Sequence, residues 1–351
     1  MITLQAENLG GVTDPEAEKS IEERERIAEK VKAASRLFVC DSNPTTFELM
    51  KSISSTAAAT PELKIHSVNP KRLEAAVPDL KGRVTQPEVA KDVEHLTEEL
   101  VGNGQKLFLA TARPDPLVGM IDARVAASLG WVGMSWESAV EARKDFEPKT
   151  FEKTEAYDAL SEVAAKFAGG SFLTVVPRAG KVRSVMEDAP FETVKNGFYS
   201  ASIAQTRAMI IGAGGRGYDD TLSGALRSIW TCLGAVRKPG EVLLLAECAG
   251  GLGSKALEML VAGRIGTEVR KREKYVPGLE EIFYVNKLKE EYGLILMSGL
   301  PELYAKAKLG FATAKGSGDA LGKLLHRLGK TTKINVVTRA AECRLSLTQG
   351  N

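Results

Sequence analysis

The stretch Met209-Ile-Ile-Gly-Ala-Gly-Gly-Arg-Gly-Tyr218 reads as a short apolar strand running into a glycine-rich loop, with a helical pattern after it. The same order returns at Leu243-Leu-Leu-Ala-Glu-Cys-Ala-Gly-Gly-Leu-Gly-Ser-Lys255. Two strand–loop–helix units in succession predict neighbouring strands of a parallel sheet, with both loops at its carboxyl edge. Open α/β sheets bind ligands at that edge, so the pair of loops is more informative than either alone. Gly212, Gly214 and Gly217 satisfy the G-x-G-x-x-G spacing that lets backbone N–H groups approach a phosphate. A dinucleotide site also wants an acid about 20 residues further on. Here the next strand ends at Glu247, thirty residues after Gly217, and Asp219-Asp220 at the helix start would repel an anion. The second loop is no P-loop, because Ser254 precedes Lys255 and Ala256 follows it. Three readings stay open for the first loop: a tight turn that needs small residues, a nucleotide site, or a site for another ligand.

Working outward, strands are expected at Ala208–Ile211, Val242–Ala246, Leu294–Met297 and Ile334–Val337. Helices are expected near Thr221–Leu233, Ser254–Val261, Leu279–Glu290, Pro301–Lys308 and Asp319–Leu328. In the first half, strands are expected at 36–40, Leu63–Val68, Lys106–Ala110, Phe172–Val176 and Lys181–Met186. Helices are expected after Thr13-Asp14-Pro15 and at Thr45–Ile53, Pro87–Leu100, Leu117–Leu129 and Glu155–Phe167. Val89, Val93, Leu96 and Leu100 carry the helical period of the third of these. The segment Glu187–Ser202 has weak periodicity and reads as the crossing between two units. These expectations define an α/β protein of two domains: residues 1–190, and a Rossmann-like parallel sheet over 200–340, with a ligand cleft between them. The last stretch is free to return to the first domain.

The chain has 351 residues, which fits two domains better than one. With 44% hydrophobic and 26% charged residues it has ordinary globular composition. There is no run long and apolar enough for a membrane span. The first residues lack a basic start and an apolar core, so no signal peptide is read there. The four cysteines are scattered and form no C-x-x-C, which makes a cytoplasmic chain the default expectation. A net charge of +2, with no basic stripe, offers nothing for nucleic acid. Only His66, His95 and His326 occur, so a mechanism built on several imidazoles in one pocket would need nearly all of them.

Other residues could carry chemistry. Asp41 follows a strand and could hold a substrate hydroxyl; helix capping by Ser42 or Asn43, with Pro44 at the first position, is the plainer account of that segment. Arg113, in Arg113-Pro-Asp-Pro116, could bind a carboxylate in bidentate fashion, or the segment could be a simple turn. None of the histidines has a second catalytic group near it in sequence.

The second half resembles the C-terminal part of the nickel-dependent lactate racemase family. That family has a strand, a loop Ser-Ala-Gly-Gly-Tyr-Pro-x-Asp, a helix, Lys-Pro-Gly-Gly, a strand, and Ala-Glu-Cys-x-x-Gly-x-Gly. Here the corresponding stretches are Gly212-Ala-Gly-Gly-Arg-Gly-Tyr-Asp219, Lys238-Pro-Gly240 and Ala246-Glu-Cys-Ala-Gly-Gly-Leu-Gly253. Tyr292-Gly-Leu-Ile-Leu-Met-Ser-Gly-Leu-Pro301 resembles the family's late strand and loop, so the similarity covers about residues 170–340. Asp41-Ser-Asn-Pro-Thr45 sits where the family has Asp-His-Thr-Arg-Pro-Thr.

The resemblance implies a nickel-pincer nucleotide tethered to a lysine, which accepts a hydride from lactate. It implies two histidines as acid and base on opposite faces of the carbon, and another on nickel. This sequence departs at those positions. The family's His-x-x-x-Gly-Tyr-Ser-Gly-Gly-Arg-Lys aligns with Asp115–Val125, where Gly119 and Arg124 survive. Asp115 replaces the histidine and Val125 the lysine, while Gly224 and Arg227 replace the family's substrate-holding Gln and Lys. The resemblance therefore argues for the fold and against the family's own reaction, and it leaves the cofactor unknown.

The cleft expected from this reading has Asp41, Asn43, Arg113, Asp115 and Arg124 on its N-terminal wall. Gly214, Gly215, Asp219, Arg227 and the loop Gly250, Gly251, Gly253, Ser254 form its C-terminal wall. Asp41, Asp115 and Arg124 are the catalytic candidates, and no residue is assigned to a metal. The function expected is binding of a small hydroxy acid or a nucleotide, with the racemisation lost or altered. The alternatives are an active, divergent racemase or epimerase and an enzyme using another nucleotide cofactor. The partner expected is a small molecule, with a homo-oligomer left open.

Overall fold

The computed structural model describes residues 4–6, 17–267, 275–329 and 331–348. Two six-stranded sheets organise it, and the chain is mixed α/β with mostly parallel strands. The first sheet runs Val84–Thr85, Lys64–Ser67, Arg36–Val39, Lys106–Thr111, Gly170–Arg178 and Lys181–Glu187. All neighbours are parallel except the last pair, which is an antiparallel hairpin. The second sheet runs Leu4–Ala6, Ile334–Val337, Thr206–Gly212, Val236–Leu245, Tyr292–Met297 and Ala312–Thr313, parallel throughout. Leu4–Ala6 thus extends the second sheet, while the helix Ala17–Ala33 that follows packs in the first unit's core through Ile27 and Val31.

Both faces of each sheet are covered, so the strands read as nearly continuous apolar runs. In the first sheet the alternation of a strand sorts them. Leu37, Val39, Leu107 and Leu109 enter one core, and Phe38, Phe108 and Ala110 the other. Phe38, Phe108 and Phe172 stack across neighbouring strands, with centroids 4.7 and 5.2 Å apart. In the second sheet Met209, Ile211, Val242 and Leu244 pack under the helices Leu222–Leu233, Lys255–Val261 and Leu279–Glu291. Ala208, Leu243, Ile295 and Ile334 face the helix Ser317–Leu328 on the opposite side. No helix of the described residues is long and apolar enough to cross a membrane.

The structure departs from the expected elements at a few places. Pro87–Leu100 is not a helix; only Glu98–Val101 is helical. The Asp92 carboxylate accepts the N–H groups of Glu94 and His95, a local turn that outcompetes the helical period. Leu117–Leu129 is not one helix either. Arg113–Asp115 and Gly119–Ile121 form an antiparallel hairpin, and the helix Ala123–Trp131 starts after it, capped by Asp122 at the Val125 N–H. Glu187–Ser202 contains the helix Phe191–Gly197 and part of the strand Tyr199–Ile203, which pairs in parallel with Cys343–Leu347. The turn after Lys308 closes a π-helical segment, Leu303–Lys308. Thr13-Asp14-Pro15 lies outside the described residues.

Candidate functional site

The hairpin Arg113–Ile121 leaves the carboxyl end of a central strand of the first sheet. It meets the start of the helix Leu222–Leu233, which follows the glycine loop of the second. Between them lies a cleft of about 510 Å³, lined by Arg113 and Asp115 from one side and by Arg227, Gly253, Ser254 and Glu281 from the other. Trp136 and Lys255 also line it.

Asp115 is 1% exposed. Its Oδ1 accepts the N–H groups of Leu117 and Val118, which shapes the hairpin turn. Its Oδ2 accepts from Arg227 Nη1 at 2.8 Å, across the cleft. Arg227 is held further by Glu280 at 2.5 Å and Glu281 at 2.8 Å, and lies over the Trp136 ring at 4.9 Å. Burial works against the Arg227 charge, but Asp115, Glu281 and Glu280 together hold its pKa well above the ordinary value. Burial pushes the Glu280 pKa up, against the pull of Arg227. Trp136 Nε1 donates to the same Glu280 carboxylate. This guanidinium therefore joins the two units, and four of its five N–H donors are already taken.

Arg113 is different. It is half-buried on the cleft wall and makes no hydrogen bond or ion pair among the described residues. Its charge is felt by Asp41, whose pKa burial raises and Arg113 lowers. Asp41 itself does not line the cleft. It is buried, accepts the N–H groups of Thr111 and Asn43, and ties the ends of two strands together. Asn43 caps the helix Pro44–Ala59 by accepting from Thr45 N–H. Arg124 also lies away from the cleft, over the Phe172 ring and 3.8 Å from Asp188. It stands in the first turn of the helix Ala123–Trp131, which begins only after the hairpin. Asp219 is buried behind the loop, where burial raises its pKa.

The glycine loops are packed against protein. Gly217 has φ +93°, and a Cβ there would stand 2.6 Å from Pro44 Cδ, so only glycine lets the two units close. Its N–H donates to Asp220, which also pairs with Arg72 of the first unit at 2.7 Å. Gly217→Ala is expected to cost about 1–3 kcal/mol, combining positive φ with this clash, and thermal melting would show it. The first three N–H groups of Leu222–Leu233 are likewise taken, by Gly251 O, Leu252 O and Thr221 Oγ1. Gly250 N–H donates to Asp220 O. Gly214, Gly215, Gly250 and Gly251 shape these loops without lining the cleft, whereas Gly253 and Ser254 reach it. Both loops are turns that lock onto each other, and the N–H groups of Gly217, Gly250 and Gly251 are taken up inside them.

The histidines lie elsewhere. His66 is buried on its strand, with Nδ1 against Thr85 Oγ1, and burial lowers its pKa to about 4. His95 is in the exposed turn with Asp92, and His326 is on the outer helix Ser317–Leu328. Val125, at the position aligned with the family's lysine, is fully buried in the first core. Among the described residues no cluster of three or more His, Cys, Asp or Glu is arranged for a metal. Sequence reasoning missed Glu280, Glu281 and Trp136. Two acids at the start of a helix read as an ordinary exposed first turn, and no local signal marks their burial.

No protein-family model matches this sequence, and no curated protein matches it. A match to a solved structure is strong. The lactate racemase apoprotein from Thermoanaerobacterium thermosaccharolyticum superposes with a TM-score of 0.69 over 93% of this chain and 92% of that one. The sequences are 14% identical, so the likeness is one of architecture: this chain has a lactate-racemase-like fold.

Proposed function

We propose that the cleft binds a small carboxylate, with a 2-hydroxy acid as the substrate class, and that the nickel-pincer racemisation is not carried by this chain. The observation that supports binding is Arg113, a guanidinium on the cleft wall with no partner of its own among the described residues. A planar fork of donors beside a polar cavity suits a carboxylate. The likeness to the lactate racemase apoprotein favours a hydroxy acid among carboxylates. The occupied N–H groups at the start of the helix Leu222–Leu233, together with Asp219 and Asp220 just before it, favour a small acid over a nucleotide.

The pincer nucleotide does not fit these residues. Its attachment would need a lysine where Val125 sits in the core, and imidazoles where Asp115 is committed to Arg227. Calorimetric titration of the full chain with L-lactate, D-lactate and malate tests the reading. Arg113→Ala is expected to weaken binding roughly ten- to a hundredfold, the range of a charge-assisted hydrogen bond. Arg113→Lys should recover part of the loss, since it keeps the charge and loses the fork. Equal affinity in wild type and Arg113→Ala would sink the proposal.

A further inference from the structure

We infer that the acid bound in the cleft carries an apolar substituent, aromatic or branched, and that Leu129 and Trp136 select it. The inference rests on the reading of the cleft given above and concerns the part of the ligand that Arg113 does not hold. Lactate alone is too small for this space. The cleft has a volume of about 510 Å³. Lactate has six heavy atoms. At about 30 Å³ for each, the share of a water molecule in the liquid, it takes up at most roughly 180 Å³. A ligand that fills the cleft extends well past three carbons.

The wall beside Arg113 is apolar. Arg113 stands directly opposite Ile121 in the hairpin, so the two side chains project from the same face. Leu129, from the helix Ala123–Trp131, and Trp136, from the helix Ser135–Ala142, line the cleft from the same unit. Both are half-buried, which leaves apolar surface in contact with water. The indole is held in one orientation. Its Nε1 donates to Glu280 at 2.9 Å, and the Arg227 guanidinium lies 4.9 Å from its ring centre. An aromatic surface fixed in this way costs little further ordering when a ligand settles on it.

The facing wall bears hydroxyls, which would suit a sugar acid, but each already has a partner within the chain. Ser223 Oγ donates to Glu281, and Ser228 Oγ donates to the Gly224 carbonyl. Thr221 Oγ1 and Ser254 Oγ accept the N–H groups of Gly224 and Leu257 as helix caps. The apolar wall is the one with surface left to cover, and covering it is favourable in proportion to the area removed from water.

The test is titration of the full chain with lactate, phenyllactate, hydroxyisocaproate and gluconate. Phenyllactate is expected to bind about ten- to a hundredfold more tightly than lactate, the effect of burying one phenyl ring, with hydroxyisocaproate between them. Leu129→Gln keeps the length of the side chain and makes its end polar, so it should lower the ratio of phenyllactate to lactate affinity about three- to tenfold. Leu129→Met should preserve that ratio, and Arg113→Ala should weaken both acids by the same factor. Lactate binding as tightly as phenyllactate, or gluconate binding most tightly, each still dependent on Arg113, would overturn the apolar substituent and leave the cleft reading intact. A ratio unmoved in Leu129→Gln would overturn the role of Leu129. Binding of none of the acids would overturn both this inference and the cleft reading. If Leu129→Gln does not fold, the wild-type ranking decides the matter.

Discussion

Replacing Arg227 by methionine is expected to destabilise the protein by about 3–5 kcal/mol, the cost of stripping the partner from a buried charge cluster. Three carboxylates, those of Asp115, Glu280 and Glu281, converge on this one guanidinium, and they are 1%, 0% and 6% exposed. Methionine fills the volume but leaves their charges facing each other. The loss should also depend on pH. Burial already raises the pKa of Glu280 above its ordinary value of 4.5, and Arg227 opposes that rise. Without Arg227 the folded-state pKa goes higher still. An acid with a raised folded pKa binds more protons folded than unfolded, so stability falls as pH rises from the ordinary carboxylate range. The deficit against wild type should therefore be larger at pH 8 than at pH 5. Denaturant titrations of both proteins at the two pH values measure it. A loss below about 1 kcal/mol, flat with pH, would mean that the cluster is hydrated and does not join the units.

Phe108→Ala should cost a similar amount, about 3–5 kcal/mol, for a different reason. Phe108 is fully buried at the middle of the first sheet, stacked on Phe38, Phe167 and Phe172. The Cβ position of Gly170 lies 3.1 Å from its ring, so the ring is fitted against bare backbone as well. A cavity at such a site has rigid walls and collapses little, which places the cost at the upper end. Phe108→Leu keeps most of the volume and should cost about 1.5 kcal/mol or less. The strand Lys106–Thr111 leads directly into the hairpin that carries Arg113, so the alanine variant should also weaken ligand binding. A fully stable Phe108→Ala protein with unchanged binding would contradict this picture of the core.

The strands of the second sheet were the most legible part of the chain. Ile334–Val337 matches its expected span, and Tyr292–Met297 and Thr206–Gly212 differ from theirs only at the ends. Fully covered parallel strands leave continuous apolar runs, and Gly212 and Gly299 mark the ends of two of them. The hairpin before Ala123–Trp131 was less legible, because Asp115 and Asp122 act through single hydrogen bonds to nearby N–H groups. The candidate site was legible only in part. Arg113, Asp115, Arg227, Gly253 and Ser254 come together at the cleft, while Asp41, Arg124 and Asp219 do not line it. The pairing of Asp115 with Arg227 spans 112 positions and leaves no local trace. Glu280 and Glu281 were hidden by their own chemistry, since charge normally marks a solvated face.

The placement of Leu4–Ala6 has a practical consequence. This strand covers the outer edge of Ile334–Val337, although the chain next builds the first unit and returns to the second only after residue 200. No single cut near residue 195 can therefore yield two complete halves. A fragment from 200 onward would carry a bare row of unpaired N–H and C=O groups along Ile334–Val337. Such an edge recruits other strands, so the fragment is expected to self-associate. Supplying residues 1–8 as a separate peptide should suppress that association.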